Sequence, residues 1–126
     1  MLHIDIVCIG KIKEKFFKEA IEEYSKRLSK YCILNIIELP DEKLPSKLND
    51  SLINEIKTKE SNLISSKIKK DSYIFALDLK GNTYSSEKFS EKIENLSIHT
   101  SNITFLIGGT LGMTKELINS CNESIC

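Results

Sequence analysis

The sequence is short of several features, and each shortage closes off a class of function. No apolar run approaches the ~18 residues a helix needs to span a bilayer. The first ten residues, MLHIDIVCIG, carry no basic lead, contain Asp5 and are too short for an export signal. A soluble, cytoplasmic protein with no membrane contact is therefore expected. Net charge is lacking too, because 18 Lys and Arg balance 18 Asp and Glu, so no global field steers the chain to nucleic acid or lipid. The four cysteines, Cys8, Cys32, Cys121 and Cys126, show neither a CxxC pair nor metal-ligand spacing. Cys8 and Cys32 lie inside apolar runs, so buried, reduced thiols are expected. His3 and His99 have no Asp, Ser or Cys partner at a telling spacing and read as structural. No metal cluster, nucleophile constellation, repeat or linker is visible.

What remains is a regular alternation of two hydrophobic periods over 126 residues, read as one domain. Leu2–Ile9 reads as a strand, and Glu14–Lys30 as a helix with Phe17, Ala20, Ile21, Tyr24, Leu28 and Tyr31 on one face. Cys32–Leu39 is a second strand, closed by Pro40, and Asp41–Asp50 a loop. Ser51–Lys69 is a second amphipathic helix. Tyr73–Leu79 is a buried strand, ended by Lys80-Gly81-Asn82. Ser85 and Ser86 offer capping oxygens to a third helix carrying Phe89, Ile93 and Leu96. Asn102–Ile107 is a fourth strand, Thr114–Cys121 a short helix, and Asn122–Cys126 the beginning of another strand. Strands separated by helices predict an α/β fold, a mainly parallel sheet with helices on both faces.

The densest signal is ITFLIGGTLGMTK, residues 103–115, which holds three of the five glycines. A strand that ends in a Gly-rich bend before a helix is where open α/β sheets bind ligands. Glycine there permits positive φ and close backbone approach. Two readings stay open: an anion or adenine cradle formed by the bend and the following helix N-terminus, or a tight turn needing glycine for geometry alone. The spacing GGxxG is not GxGxxG, and no GK[ST] follows, so a P-loop is excluded. Asp78 would lie beside the bend if the two strands are neighbours, facing a ribose or amine, or simply solvated. Residues 10–30 carry seven Lys or Arg against four Glu, whereas 31–62 carry four Lys against six acids. Lys11, Lys13, Lys15 and Lys18 stand near a helix start, where cations oppose the helix dipole; they read as a phosphate-binding or a solvated face. Glu60 falls on the apolar side of its helix and reads as paired, snorkelling or interfacial.

GKIKEKFFKEAIEEYSKRL, PDEK, KTKES, ALDLKG, SSEKF and ITFLIGGTLGM, in this order, resemble the RlmH family of SPOUT-class methyltransferases. The resemblance runs from the first strand to Cys126. It implies a homodimer of α/β sheets with a C-terminal trefoil knot and S-adenosyl-L-methionine (AdoMet) bound at that knot. The implied reaction is methyl transfer to the N3 ring nitrogen of a pseudouridine in 23S rRNA of the assembled bacterial ribosome. It also implies AdoMet contacts at the backbone of Leu77 and Gly108, with Gly109 giving room for close approach, and no metal. The family continues beyond the position of Cys126 with the segment that forms the knot and half the cofactor pocket. The expectation is therefore a truncated SPOUT form with an incomplete knot, its catalytic residues outside residues 1–126 and its cofactor binding weak or absent. Two alternatives belong to other classes: a non-catalytic ribosome-interacting remnant, and a flavodoxin-like nucleotide binder.

Overall fold

The computed structural model describes residues 1–126 as β1 (Leu2–Ile9), α1 (Lys15–Leu28), β2 (Cys32–Leu39), α2 (Asp50–Ser65), β3 (Tyr73–Asn82), α3 (Ser86–His99), β4 (Asn102–Ile107), α4 (Lys115–Ser120) and β5 (Glu123–Ile125). The strands form one sheet in the order β2-β1-β4-β3-β5, with every pairing parallel. The connections β1→β2 and β3→β4 run one way across the sheet, and β2→β3 and β4→β5 run the other. Because parallel crossovers share one hand, α1 and α3 fall on one face and α2 and α4 on the opposite face.

The core divides accordingly. Val7, Ile9, Leu39, Ala76 and Leu106 pack with Ile64 of α2 and Leu117 of α4. On the other face Phe75 and Ile103 pack with Leu96, Phe89 and Ile93 of α3. The Phe75 and Phe105 rings stack there at 5.1 Å with 9° between planes. Ser85 is the N-cap of α3, accepting the Lys88 N–H at 3.1 Å.

Three elements depart from the sequence expectation. Helix α1 forms, but none of its residues is buried: Phe17 is 52% exposed and Tyr24 63%. Its periodicity marks an amphipathic face without saying what covers it. Facing that side of the sheet, Leu2, Ile4 and Ile6 of central strand β1 are only half-buried. Helix α2 closes at Ser65, and the chain turns through Asp71 at φ 63° into β3. Strand β3 runs on through Lys80-Gly81 to Asn82, because β5 supplies partners there. Ile125 pairs with both Leu77 and Asn82, so residues 78–81 arch outward between two contacts with the same residue.

Strand β5 is pinned from both sides. Asn122 N–H donates to the Ile74 carbonyl at 3.0 Å, and Cys126 N–H donates to that of Asn82 at 2.9 Å. The Tyr84 hydroxyl lies 2.8 and 2.7 Å from the two Glu123 oxygens. Lys92 approaches Glu123 at 3.9 Å and lies 5.2 Å from the centroid of the Tyr73 ring. The hydrogen bond to Glu123, reinforced by desolvation and the carboxylate charge, pushes the Tyr84 phenol from 10 up to about 12. A raised folded-state value means that this stabilisation is full below pH 10 and is lost as pH climbs through about 12. Spectrophotometric titration of Glu123→Gln is expected to return the Tyr84 transition towards 10; an unchanged transition would remove Glu123 as the cause.

One carboxylate sits inside the sheet. Asp5 is 2% exposed, receives the Asn35 side-chain amide at 3.2 Å, and has Lys69 Nζ 3.6 Å from its other oxygen, which makes no hydrogen bond. Removing Lys69 leaves that charge uncompensated at a buried position. Lys69→Met is expected to cost about 1–3 kcal/mol in urea denaturation. Adding Asp5→Asn should recover part of the loss, and no recovery would show that the pair is not the source.

Candidate functional site

The carboxyl ends of β3 and β4 are neighbours, as the site requires. Between them lies a cavity of about 510 Å³ lined by Leu77, Asp78, Leu79, Ile107, the bend 108–113 and Ile118, with Lys57, Lys80 and Lys115 at its margin. Leu77, Asp78 and Gly108 are thus brought together, and Asp78 is half-buried at the wall.

Each glycine of the bend is needed for its own reason. At Gly108 a Cβ would lie 2.9 Å from the Gly112 carbonyl carbon and 2.9 Å from Met113 Cγ. At Gly109 it would lie 2.9 Å from Glu60 Oε1 and 3.0 Å from Ile9 Cγ2. Only Gly112 takes positive φ, at +82°, and its N–H closes the bend onto the Gly109 carbonyl at 3.0 Å. Positive φ therefore applies to one glycine, and close packing explains the other two.

The helix N-terminus is not a free anion cradle. Helix α4 has six residues, Thr114 N–H is taken by Ser61 Oγ at 3.0 Å, and Leu117 N–H by Thr114 Oγ1 at 3.2 Å. Glu116 adds an acid to the first turn. Two donors that a phosphate would use are thus engaged within the protein, and the cavity wall is mixed, with Lys57, Asp78, Lys80 and Lys115 beside its apolar residues.

The other sequence candidates lie elsewhere or do different work. Lys11 and Lys13 stand on the turn after β1, where Gly10 has φ +94° and Glu38 accepts the Ile12 N–H at 2.9 Å. Lys15 pairs loosely with Glu19 at 3.9 Å and Lys18 is exposed. Glu60 is buried and accepts the Glu42 N–H at 3.0 Å, which settles it as a paired residue. His99 lies at the amino edge of the sheet, in a separate depression with Met1 and Ser101. All four cysteines are free thiols, and burial pushes Cys8 and Cys121 up from their ordinary value. Cys32 is buried as expected, while Cys8 is half-buried. The strand end with Leu79 and Lys80 lies beside the bend as expected, whereas sequence reasoning missed Ile118, Lys57 and Lys115, because their approach depends on where α2 and α4 land. No helix is long and apolar enough to cross a membrane.

The sequence model of a family described as "Predicted SPOUT methyltransferase" matches residues 2–126. The chain belongs to the SPOUT methyltransferase family. It is 52% identical over 126 residues to "Ribosomal RNA large subunit methyltransferase H 1" of Clostridium perfringens (strain SM101 / Type A), covering 99% of this chain and 79% of that protein. It is 52% identical over 122 residues to "Ribosomal RNA large subunit methyltransferase H" of Clostridium botulinum (strain 657 / Type Ba4), covering 96% of this chain and 77% of that protein. The match to the protein of the same name from C. botulinum (strain Hall / ATCC 3502 / NCTC 13319 / Type A) is 52% over 125 residues. The chain thus spans about four-fifths of the length of these relatives. The SPOUT assignment makes this an enzyme fold for methyl transfer, and the all-parallel sheet with helices on both faces agrees with it.

Proposed function

We propose that this SPOUT protein acts in the methylation of 23S rRNA, residues 1–126 forming a single domain that supplies one wall of the AdoMet site for transfer to the N3 ring nitrogen of a pseudouridine in the assembled ribosome. The observation that carries the reading is the glycine-walled cavity at the ends of β3 and β4. Leu77, Gly108 and Gly109 line it together, and the tight packing of both glycines against Met113 and Glu60 fixes the shape of its wall. The backbone of Leu77 and Gly108 would hold the cofactor, and Asp78 stands where a ribose hydroxyl or an amine would seek an acceptor. AdoMet would supply a methyl group on a sulfonium centre: as the N3–CH3 bond forms the S–CH3 bond breaks, S-adenosylhomocysteine leaves, and the N3 proton passes to solvent.

The chain's own contribution is placement. The half-buried side chains of Leu111 and Ile118 supply apolar surface to the cavity. Holding donor and acceptor in line converts a bimolecular encounter into an oriented one, the main source of rate in such a transfer. Lys11, Lys13 and Lys43 follow the carboxyl ends of β1 and β2, at the same edge as Lys57, Lys80 and Lys115. That edge suits RNA phosphates, whose neutralisation gives salt-sensitive affinity. The uncovered stripe of α1, with Phe17, Tyr24 and Leu28 exposed, suits a homodimer contact in a cytoplasmic enzyme.

The test is methyl transfer from radiolabelled AdoMet to ribosomes lacking the modification, set beside free 23S rRNA. Label on a pseudouridine of intact ribosomes supports the reading; label on neither substrate refutes it. The Lys-bearing turn separates catalysis from docking. Charge reversal at Lys13 and Lys15 is expected to weaken ribosome binding by about tenfold or more at low salt and to flatten its salt dependence. Salt-sensitive ribosome binding without any methyl transfer would favour the interaction-protein reading, and binding indifferent to both reversals would exclude this face from docking.

A further inference from the structure

Helix α2 carries two adjacent buried polar side chains, Glu60 at 5% and Ser61 at 3% exposure. Burying a carboxylate is costly unless hydrogen bonds hold it, so their partners are informative. Glu60 Oε2 accepts the Glu42 N–H at 3.0 Å, in the loop between β2 and α2. Its Oε1 occupies the space a Gly109 side chain would need, 2.9 Å from the Cβ position. Ser61 Oγ accepts the Thr114 N–H at 3.0 Å, at the entry to α4. One turn of α2 therefore bonds to the loop after β2 and to the exit of the Gly bend, and packs against the bend at Gly109.

Neither residue lines the cavity beside Leu77 and Gly108. Glu60 faces instead a small cavity of about 110 Å³ behind the bend, shared with Asp41, Glu42, Thr110 and Leu111. Within the bend, Gly109 and Gly112 form an isolated antiparallel bridge, with the Gly112 N–H on the Gly109 carbonyl and Gly112 at positive φ, and Met113 anchors its end in the core. Glycines free to move would otherwise sample many shapes.

We infer that Glu60 and Ser61 are positioning residues, a two-point brace that holds the bend 108–113 in its ligand-binding shape. The ligand part of this inference rests on the AdoMet reading above. If the pair merely satisfied its own buried polarity, its loss would lower global stability without selectively freeing the bend.

The experiment combines amide exchange by NMR with titration of S-adenosylhomocysteine, on the 126-residue wild type, Glu60→Ala, Glu60→Gln and Ser61→Ala. In Glu60→Ala, exchange at Glu42 and Gly112 is expected to rise by about tenfold or more, while Val7 and Leu106 in the core strands keep their protection. S-adenosylhomocysteine affinity should fall by about tenfold in that variant. Glu60→Gln keeps an accepting oxygen and should restore most of both effects. Ser61→Ala should free Thr114 while leaving Glu42 protected, and it carries the test should Glu60→Ala fail to fold. Unchanged exchange at the bend in Glu60→Ala or Ser61→Ala, or a freed bend with undiminished affinity, would overturn the inference. A wild type that does not respond to S-adenosylhomocysteine overturns the AdoMet reading and the ligand clause with it, and the exchange data then decide the brace by themselves.

Discussion

Gly108→Ala is expected to weaken cofactor binding about 100-fold while leaving a folded, less stable protein. The new Cβ would sit 2.9 Å from the backbone carbon of Gly112, 2.9 Å from Met113 Cγ and 3.1 Å from Met113 N. Two of these are backbone atoms and cannot swing aside, so the bend itself must open. Overpacking of this kind costs about 1–3 kcal/mol, and the displaced bend no longer shapes the cavity wall in the same way. A loss of about 100-fold in S-adenosylhomocysteine affinity corresponds to ~2.7 kcal/mol, within that range. Gly109→Ala should be milder, because its closest contact is the end of the Glu60 side chain, though yielding there strains the bond to Glu42. Gly112→Ala meets no atom but must hold φ +82°, a strain of roughly 1 kcal/mol. The order 108, 109, 112 in affinity loss is the expected result. Equal affinity for Gly108→Ala and wild type would mean that the bend is a structural turn and nothing more.

Gly81→Ala should have the largest structural effect of any single added methyl group. A Cβ there would stand 2.5 Å from Ile125 N, 2.6 Å from its carbonyl carbon and 2.7 Å from its Cα. All three atoms belong to backbone, so β5 and the arch 78–81 cannot both keep their places. Detachment of β5 would break the bond from Cys126 to Asn82 and separate Tyr84 from Glu123. A stability loss of about 3 kcal/mol or more is expected in urea denaturation. Selective loss of protection at Cys126 and Asn122 should accompany it. Because Leu77 borders both β5 and the cavity, ligand binding should fall in the same variant. Gly10→Ala is the control: it too has positive φ, at +94°, but meets no neighbour, and should cost only about 1 kcal/mol. Preserved protection at Cys126 in Gly81→Ala would contradict the packing of β5 described above.

The residues made most of the sheet legible through apolar runs, even at the edge strand β2, where Ile33 and Ile36 stay exposed. Leu2–Ile9, Cys32–Leu39 and Asn102–Ile107 read as strands from apolar content alone, and their bounds agree with the structure. The length of β3 was not legible, because Lys80-Gly81-Asn82 has turn chemistry and is kept in the sheet only by Ile125, far along the chain. Periodicity correctly marked α1 as amphipathic, but an apolar stripe does not reveal whether this chain covers it, and here Phe17 and Tyr24 are left exposed. The site was legible in its glycines, since three lie within five residues after an apolar strand. Its physical cause was only partly so: positive φ holds at Gly112, whereas Gly108 and Gly109 answer to neighbours contributed by Met113 and Glu60. Glu60 stood out as a carboxylate on an apolar face, yet its partner, the Glu42 amide, is a backbone group that no side-chain pattern advertises.

The measurement that bears most directly on the central claim is an amide chemical-shift titration of the 126-residue protein with S-adenosylhomocysteine, which registers weak and tight binding alike. Saturable shifts centred on Leu77, Asp78 and residues 108–113, with about 100-fold weaker affinity in Gly108→Ala, are the predicted result. No shift in a folded sample, or shifts confined to the amino edge around Met1 and His99, would contradict the assignment of this cavity to the methyl donor.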